Sequence, residues 1–99
     1  MKIYLPKKEL QQNITVFLKR KCGYFPLENS YVRRLGTHFY PRFHLYLSEN
    51  EKNYILNLHL DQKKPSYQNQ TAHSGEYDGE VVEEEGKKIR NEYSSFGKS

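Results

Sequence analysis

The 99-residue chain predicts a single α+β domain: an antiparallel sheet of three or four strands with two helices packed on one face, in the order α-β-β-β-α. Three observations lead there. The segments Arg42 to Ser48 and Ile55 to Asp61 alternate apolar and polar residues, the signature of half-buried strands. A short polar connection between them makes a hairpin. Helical patterns lie before and after this hairpin, and the length suits one core and not two.

Taken in order, Lys2 to Leu5 reads as a short strand, and Pro6 suits the first position of a helix, where its missing N–H costs nothing. Leu10, Ile14, Phe17 and Leu18 form an i, i+4, i+7, i+8 stripe. Lys19, Arg20 and Lys21 complement the negative end of the helix dipole, and Gly23 can end the helix, which places it at 6 to 21. Tyr24-Phe25 and Tyr31 to Leu35 are β-prone and flank the turn-like stretch from Pro26 to Ser30.

Pro41 opens the central hairpin, as proline is tolerated at the start of a strand. From Gln62 to Gly79 the chain is polar and aperiodic, and loops of such length are usually functional or mobile. Asp78 then caps a helix over 79 to 93, with Glu80, Glu83, Glu84 and Glu85 early and Lys87, Lys88 and Arg90 late. Gly86 costs that helix roughly 1 kcal/mol relative to Ala. The domain thus spans 1 to 93, with 94 to 99 a frayed tail.

The hairpin register follows from the alternation. If Glu49 faces Tyr54, then Leu45 lies opposite Leu58, His44 opposite His59, Arg42 opposite Asp61, and Tyr46 opposite Asn57. Phe43, Leu45, Leu56 and Leu58 then face the helices. The other face carries the chemistry.

On that face His44 and His59 are the candidate catalytic pair, able to share a proton as general acid and base. Arg42, Lys63 and Lys64 would hold phosphates, Tyr46 would stack on a base, and Asn57, Asp61 and His73 complete the binding set. His44, His59, Asp61 and His73 also satisfy metal-ligand chemistry, but their spacing matches no metal motif, so no metal or cofactor is assigned. The plain alternative is a solvated face with an Arg42–Asp61 cross-strand ion pair.

Net charge is +4, and it is unevenly placed. Residues 1 to 48 hold nine Lys or Arg against two Glu, whereas 49 to 99 hold seven against ten acids. Lys19, Arg20, Lys21, Arg33 and Arg34 interleave with Tyr24, Phe25, Tyr31 and Phe39, a mixture that suits RNA. One cysteine permits no internal disulfide, which points to a reducing, cytoplasmic setting. The N-terminal residues lack the apolar stretch of a signal peptide, and no apolar run approaches the ~20 residues of a membrane span. No phosphate-cradling glycine loop, GxSxG elbow or Cys–His–Asn order supports nucleotide hydrolysis, α/β-hydrolase or thiol-protease chemistry.

Two resemblances bear on these expectations. At Tyr40 to Tyr46, Leu58 to Pro65 and His73 to Gly79 the chain resembles a family of small uncharacterised bacterial proteins, which implies a bacterial origin and no particular activity. Cys22-Gly23-Tyr24 and Arg33-Arg34-Leu35-Gly36-Thr37-His38 are similar to the Gly-aromatic step and basic strand of HicA-like messenger-RNA-cleaving toxins. That resemblance implies a fold of the double-stranded-RNA-binding type and a catalytic role for His38, whereas the hairpin favours His44. The functional expectation is RNA or phosphate-ligand binding on the histidine face, with cleavage through His44 and His59 if the site is catalytic. The alternative is a non-catalytic module whose same face takes another protein or a small ligand, with or without a metal.

Overall fold

A computed structural model describes residues 1–7, 13–62, 76–77 and 79–98, of which 76, 77, 97 and 98 are described by their backbone alone. The elements are β1 (Lys2–Pro6), α1 (Ile14–Arg20), β2 (Phe25–Leu27), β3 (Ser30–Arg34), β4 (Arg42–Glu49), β5 (Asn53–Asp61), β6 (Glu76–Tyr77) and α2 (Glu80–Lys98). The strands form one antiparallel sheet in the order β1-β5-β4-β3-β2, and β6 pairs with β5 at Leu60 and Asp61. The α+β class and the two helices stand. The strand count is higher than expected, and the strand read at Lys2 to Leu5 joins the sheet ahead of the first helix, so the order is not the expected α-β-β-β-α.

The hairpin of β4 and β5 has the expected register throughout, from Arg42 opposite Asp61 to Glu49 opposite Tyr54. Asn50 closes its turn: the side-chain oxygen accepts from the backbone N–H of Lys52 at 3.0 Å and of Asn53 at 2.8 Å. Such an Asx arrangement satisfies the turn's own donors.

One face of the sheet is the core. Ile3 and Leu5 of β1, Phe43 and Leu45 of β4, and Leu56, Leu58 and Leu60 of β5 pack with Ile14, Phe17 and Leu18 of α1 and Val82, Ile89 and Tyr93 of α2. Leu45, Leu56 and Leu58 are 0% exposed, and each such side chain contributes about 1.5–3 kcal/mol through burial. Phe17 lies edge-on to Tyr93 at 5.2 Å. The Tyr93 hydroxyl donates to the Pro6 carbonyl, tying α2 to β1.

The first helix does not begin at Pro6. Pro6 ends β1 opposite Asn53, and the pairing carries on through Lys7 N–H to the Lys52 carbonyl at 2.8 Å. Proline can do this because β1 is an edge strand. Asn13 is the true cap, its Oδ1 accepting from Thr15 N–H at 2.7 Å, so α1 is seven residues long. Leu10 lies outside the described residues. At the other end Gly23 adopts φ +77° while Tyr24 N–H reaches back to the Leu18 carbonyl at 2.9 Å.

The second helix runs beyond 93 to Lys98 because Phe96 packs against Phe17 at 5.3 Å, so the expected frayed tail is helical there. Gly86 lies where α2 crosses the start of β1: a Cβ there would sit 2.6 Å from Met1 Cε and 2.7 Å from its Sδ. Most of the polar 62 to 79 stretch lies outside the described residues, but Glu76–Tyr77 is a short strand and not loop.

Candidate functional site

Because side chains alternate along a strand, the face away from the helices collects the other residue of each pair. His44 faces His59 on one side and Val32 on the other, and Val32 faces Phe25. Asp61 faces Arg42, which faces Arg34, and Tyr46 faces Asn57, which faces Lys2. Tyr4 shares this face through Ile55.

At its centre is a hydrogen-bonded line of four side chains. Ser30 Oγ lies 2.7 Å from His44 Nε2, His44 Nδ1 lies 2.9 Å from Asp61 Oδ2, and Arg42 Nε donates to the same Oδ2 at 3.1 Å. An ionised carboxylate only accepts, so the Nδ1 proton belongs to His44 and points at Asp61. Ser30 Oγ also lies 2.9 Å from the Leu27 carbonyl. Ser30, Arg42 and Asp61 are buried at 8%, 7% and 9% exposure. Burial pushes the Asp61 carboxyl up, but hydrogen bonds from His44 and then Arg42, with the charges behind them, hold it below its ordinary value.

Arg42 is built into the structure rather than offered to solvent. Its guanidinium carbon lies 4.2 Å from the centre of the Phe39 ring and 4.6 Å from that of Tyr40, both in the 35 to 41 connection between β3 and β4. Its Nη1 is buried with no hydrogen-bond partner among the described residues. The residue expected to hold phosphate therefore positions Asp61, realising the cross-strand ion pair.

Tyr46 stacks on the His44 ring, centroids 4.5 Å apart and planes 29° apart, and meets His59 edge-on at 6.2 Å. The two histidines thus share a tyrosine, and both nitrogens of His44 lie against protein partners. Asn57 is half-buried beside them. His38, the residue the HicA-like resemblance implies, is exposed on the 35 to 41 connection. Lys63, Lys64 and His73 lie outside the described residues, and among the described residues no group of three or more His, Cys, Asp or Glu could hold a metal ion.

The basic cluster read from the sequence divides. Arg33 points to the helix side, where Nη2 meets Glu85 Oε1 at 2.6 Å and Nε donates to Oε2 at 3.3 Å, while Tyr24 OH donates to Oε2 at 2.7 Å. Arg34, one residue on, emerges on the opposite face and lies over the Phe25 ring at 5.8 Å.

Sequence reasoning missed Ser30, Phe25, Arg34, Lys2 and Tyr4 as members of the face. The signal was available in part: extending the alternation to Ser30-Tyr31-Val32-Arg33-Arg34 puts Ser30 and Arg34 on one side. What anchors Ser30 is the two-residue turn between β2 and β3, where Glu28 takes φ +54° as hairpin turns of the primed types require.

No family model matches the chain, and neither a curated protein nor a solved structure matches it.

Proposed function

We propose that the sheet face left uncovered by the helices binds single-stranded RNA. One observation carries this reading: three rings on that face, Tyr4, Phe25 and Tyr46, are 49%, 41% and 43% exposed, and the cations Lys2 and Arg34 accompany them. Burying such rings in the core would be the ordinary use of aromatics, yet these stay open to solvent. β1, β4 and β2 are each two strands apart in the sheet, so the rings recur at roughly 10 Å intervals across it. Each can take a separate base. Bases splayed from a single strand stack on aromatic rings while cations hold the phosphates, and duplex RNA buries the base faces this mode needs.

Binding is favoured over cleavage by a His44–His59 pair sharing a proton, because His44 turns its two ring nitrogens to Ser30 and Asp61 instead. The test is anisotropy of a labelled, unstructured RNA oligonucleotide titrated with wild-type protein, Tyr4→Ala and Tyr46→Ala. Each substitution should weaken binding by about 1–3 kcal/mol, the worth of one stacked base. Equal affinity for wild type and both variants, or stronger binding to duplex than to single strand, overturns the reading.

A further inference from the structure

The polar line across β3, β4 and β5 has the order nucleophile, base, orienting carboxylate. Ser30 Oγ stands 2.7 Å from His44 Nε2, within the range for proton transfer, and His44 Nδ1 is held 2.9 Å from Asp61. Arg42 fixes the carboxylate at 3.1 Å, so the imidazole cannot present its other tautomer to serine without losing Asp61. We propose that Ser30 is a nucleophile activated by His44, with Asp61 and Arg42 as positioning residues, and that its substrates are small activated acyl esters. This goes beyond RNA binding and does not depend on it.

The class of substrate follows from the surroundings. Arg42, the only cation in the line, is buried and paired with Asp61, so none is left to hold a phosphoryl dianion, whereas a neutral acyl carbonyl needs none. An activated ester or thioester asks less oxyanion stabilisation than an amide does. A good leaving group, aryloxide or thiolate, supplies the difference. Ser30 is 8% exposed and His44 lies beneath the half-open Tyr46 ring, which restricts the acyl group to a small one.

The hydroxyl has one proton and two acceptors in reach, Leu27 O at 2.9 Å and His44 Nε2. The reactive rotor directs it at Nε2. Oγ then bonds to the acyl carbon as Nε2 takes the proton, and the bond from that carbon to the leaving oxygen or sulfur breaks as His44 returns the proton to it. Water attacks the acyl-serine next, giving one proton to His44; the acid departs, and Ser30 Oγ recovers its proton. Water is the sole co-reactant.

The experiment uses the full chain with a small alkyl fluorophosphonate, which forms a phosphorus–Oγ bond with loss of fluoride, followed by peptide mapping. In parallel, p-nitrophenyl acetate is assayed for p-nitrophenol release. The expected result is a label on Ser30, absent from heat-unfolded protein and from Ser30→Ala, and ester turnover that falls to the buffer rate in Ser30→Ala and at least about a hundredfold in His44→Gln. Asp61→Asn should leave KM unchanged while kcat falls and its pH profile moves, which a merely structural role would not produce. Wild-type protein that takes no label, takes it elsewhere, or is matched by Ser30→Ala in ester turnover overturns the proposal. RNA affinity of Ser30→Ala is measured beside these, so loss of ester chemistry and loss of RNA binding are read separately.

Discussion

Arg33 and Glu85 are joined by two hydrogen bonds across the interface of sheet and helix, although 52 residues separate them in the chain. Glu85 is 4% exposed and receives the Tyr24 hydroxyl as a third donor. Removing it strands a guanidinium whose own side chain is 27% exposed. Glu85→Ala should therefore destabilise the fold by about 2–4 kcal/mol, somewhat less than a fully buried pair would lose. Urea denaturation checks this, and a loss under about 0.5 kcal/mol would mean that water replaces the carboxylate.

Asp61 sets an acid limb. Its folded carboxyl is depressed, because hydrogen bonds from His44 and Arg42 outweigh the opposing effect of burial. The associated stability is thus complete above the ordinary carboxyl pKa of about 3.9 and is lost as pH falls through the lower folded value. Unfolding free energy measured from neutral pH downward should decline below about pH 4 more steeply in wild type than in Asp61→Asn. Superimposable profiles would show that other carboxylates govern acid unfolding.

Cys22 should behave as an unreactive thiol. Burial, then the charges of Glu85 and Glu92, push its pKa up to about 12 against the opposing Arg33. At neutral pH the thiolate fraction is minute, and alkylation by iodoacetamide should run at least tenfold slower than for a free cysteine of pKa about 8.5. Glu85→Gln removes one of the raising charges and should speed the reaction. A wild-type rate equal to that of the unfolded chain would contradict this.

Lys2 and Arg34 should contribute to RNA affinity through phosphates alone. Replacing both with Ala should weaken binding to all single-stranded sequences alike and flatten the slope of log K against log salt by about 1.4, at 0.7 per phosphate contact. A preserved slope with lower affinity would assign them to ring positioning instead.

The central hairpin was legible because a strict two-residue alternation leaves one way to put Phe43, Leu45, Leu56 and Leu58 on the same side, and the turn length selects the partners. Pro6 misled because proline suits both a helix start and an edge strand, and only pairing with Asn53 decides between them. The end of α2 was hidden for a related reason. Ser94 and Ser95 are indifferent helix formers, so the contact of Phe96 with Phe17 has to hold that turn.

For the site, the opposition of His44 and His59 and the Arg42–Asp61 pair could be read from the strands. The approach of Ser30 to His44 could not, since it depends on a third strand whose register no local pattern specifies. Burial of Arg42 against Phe39 and Tyr40 likewise comes from a connection without periodicity.

β3 alternates duties residue by residue: Tyr31 and Arg33 hold the helices through Thr15 and Glu85, while Ser30, Val32 and Arg34 serve the opposite face. Inserting or deleting a single residue within it would exchange the two sets, burying Arg34 against α2 and turning Arg33 away from Glu85. Single-residue changes of length are therefore closed to this strand, whereas two-residue changes preserve the parity. The exposed turn at Asn50–Lys52 is the natural place to lengthen the chain, because growth there leaves every face assignment intact.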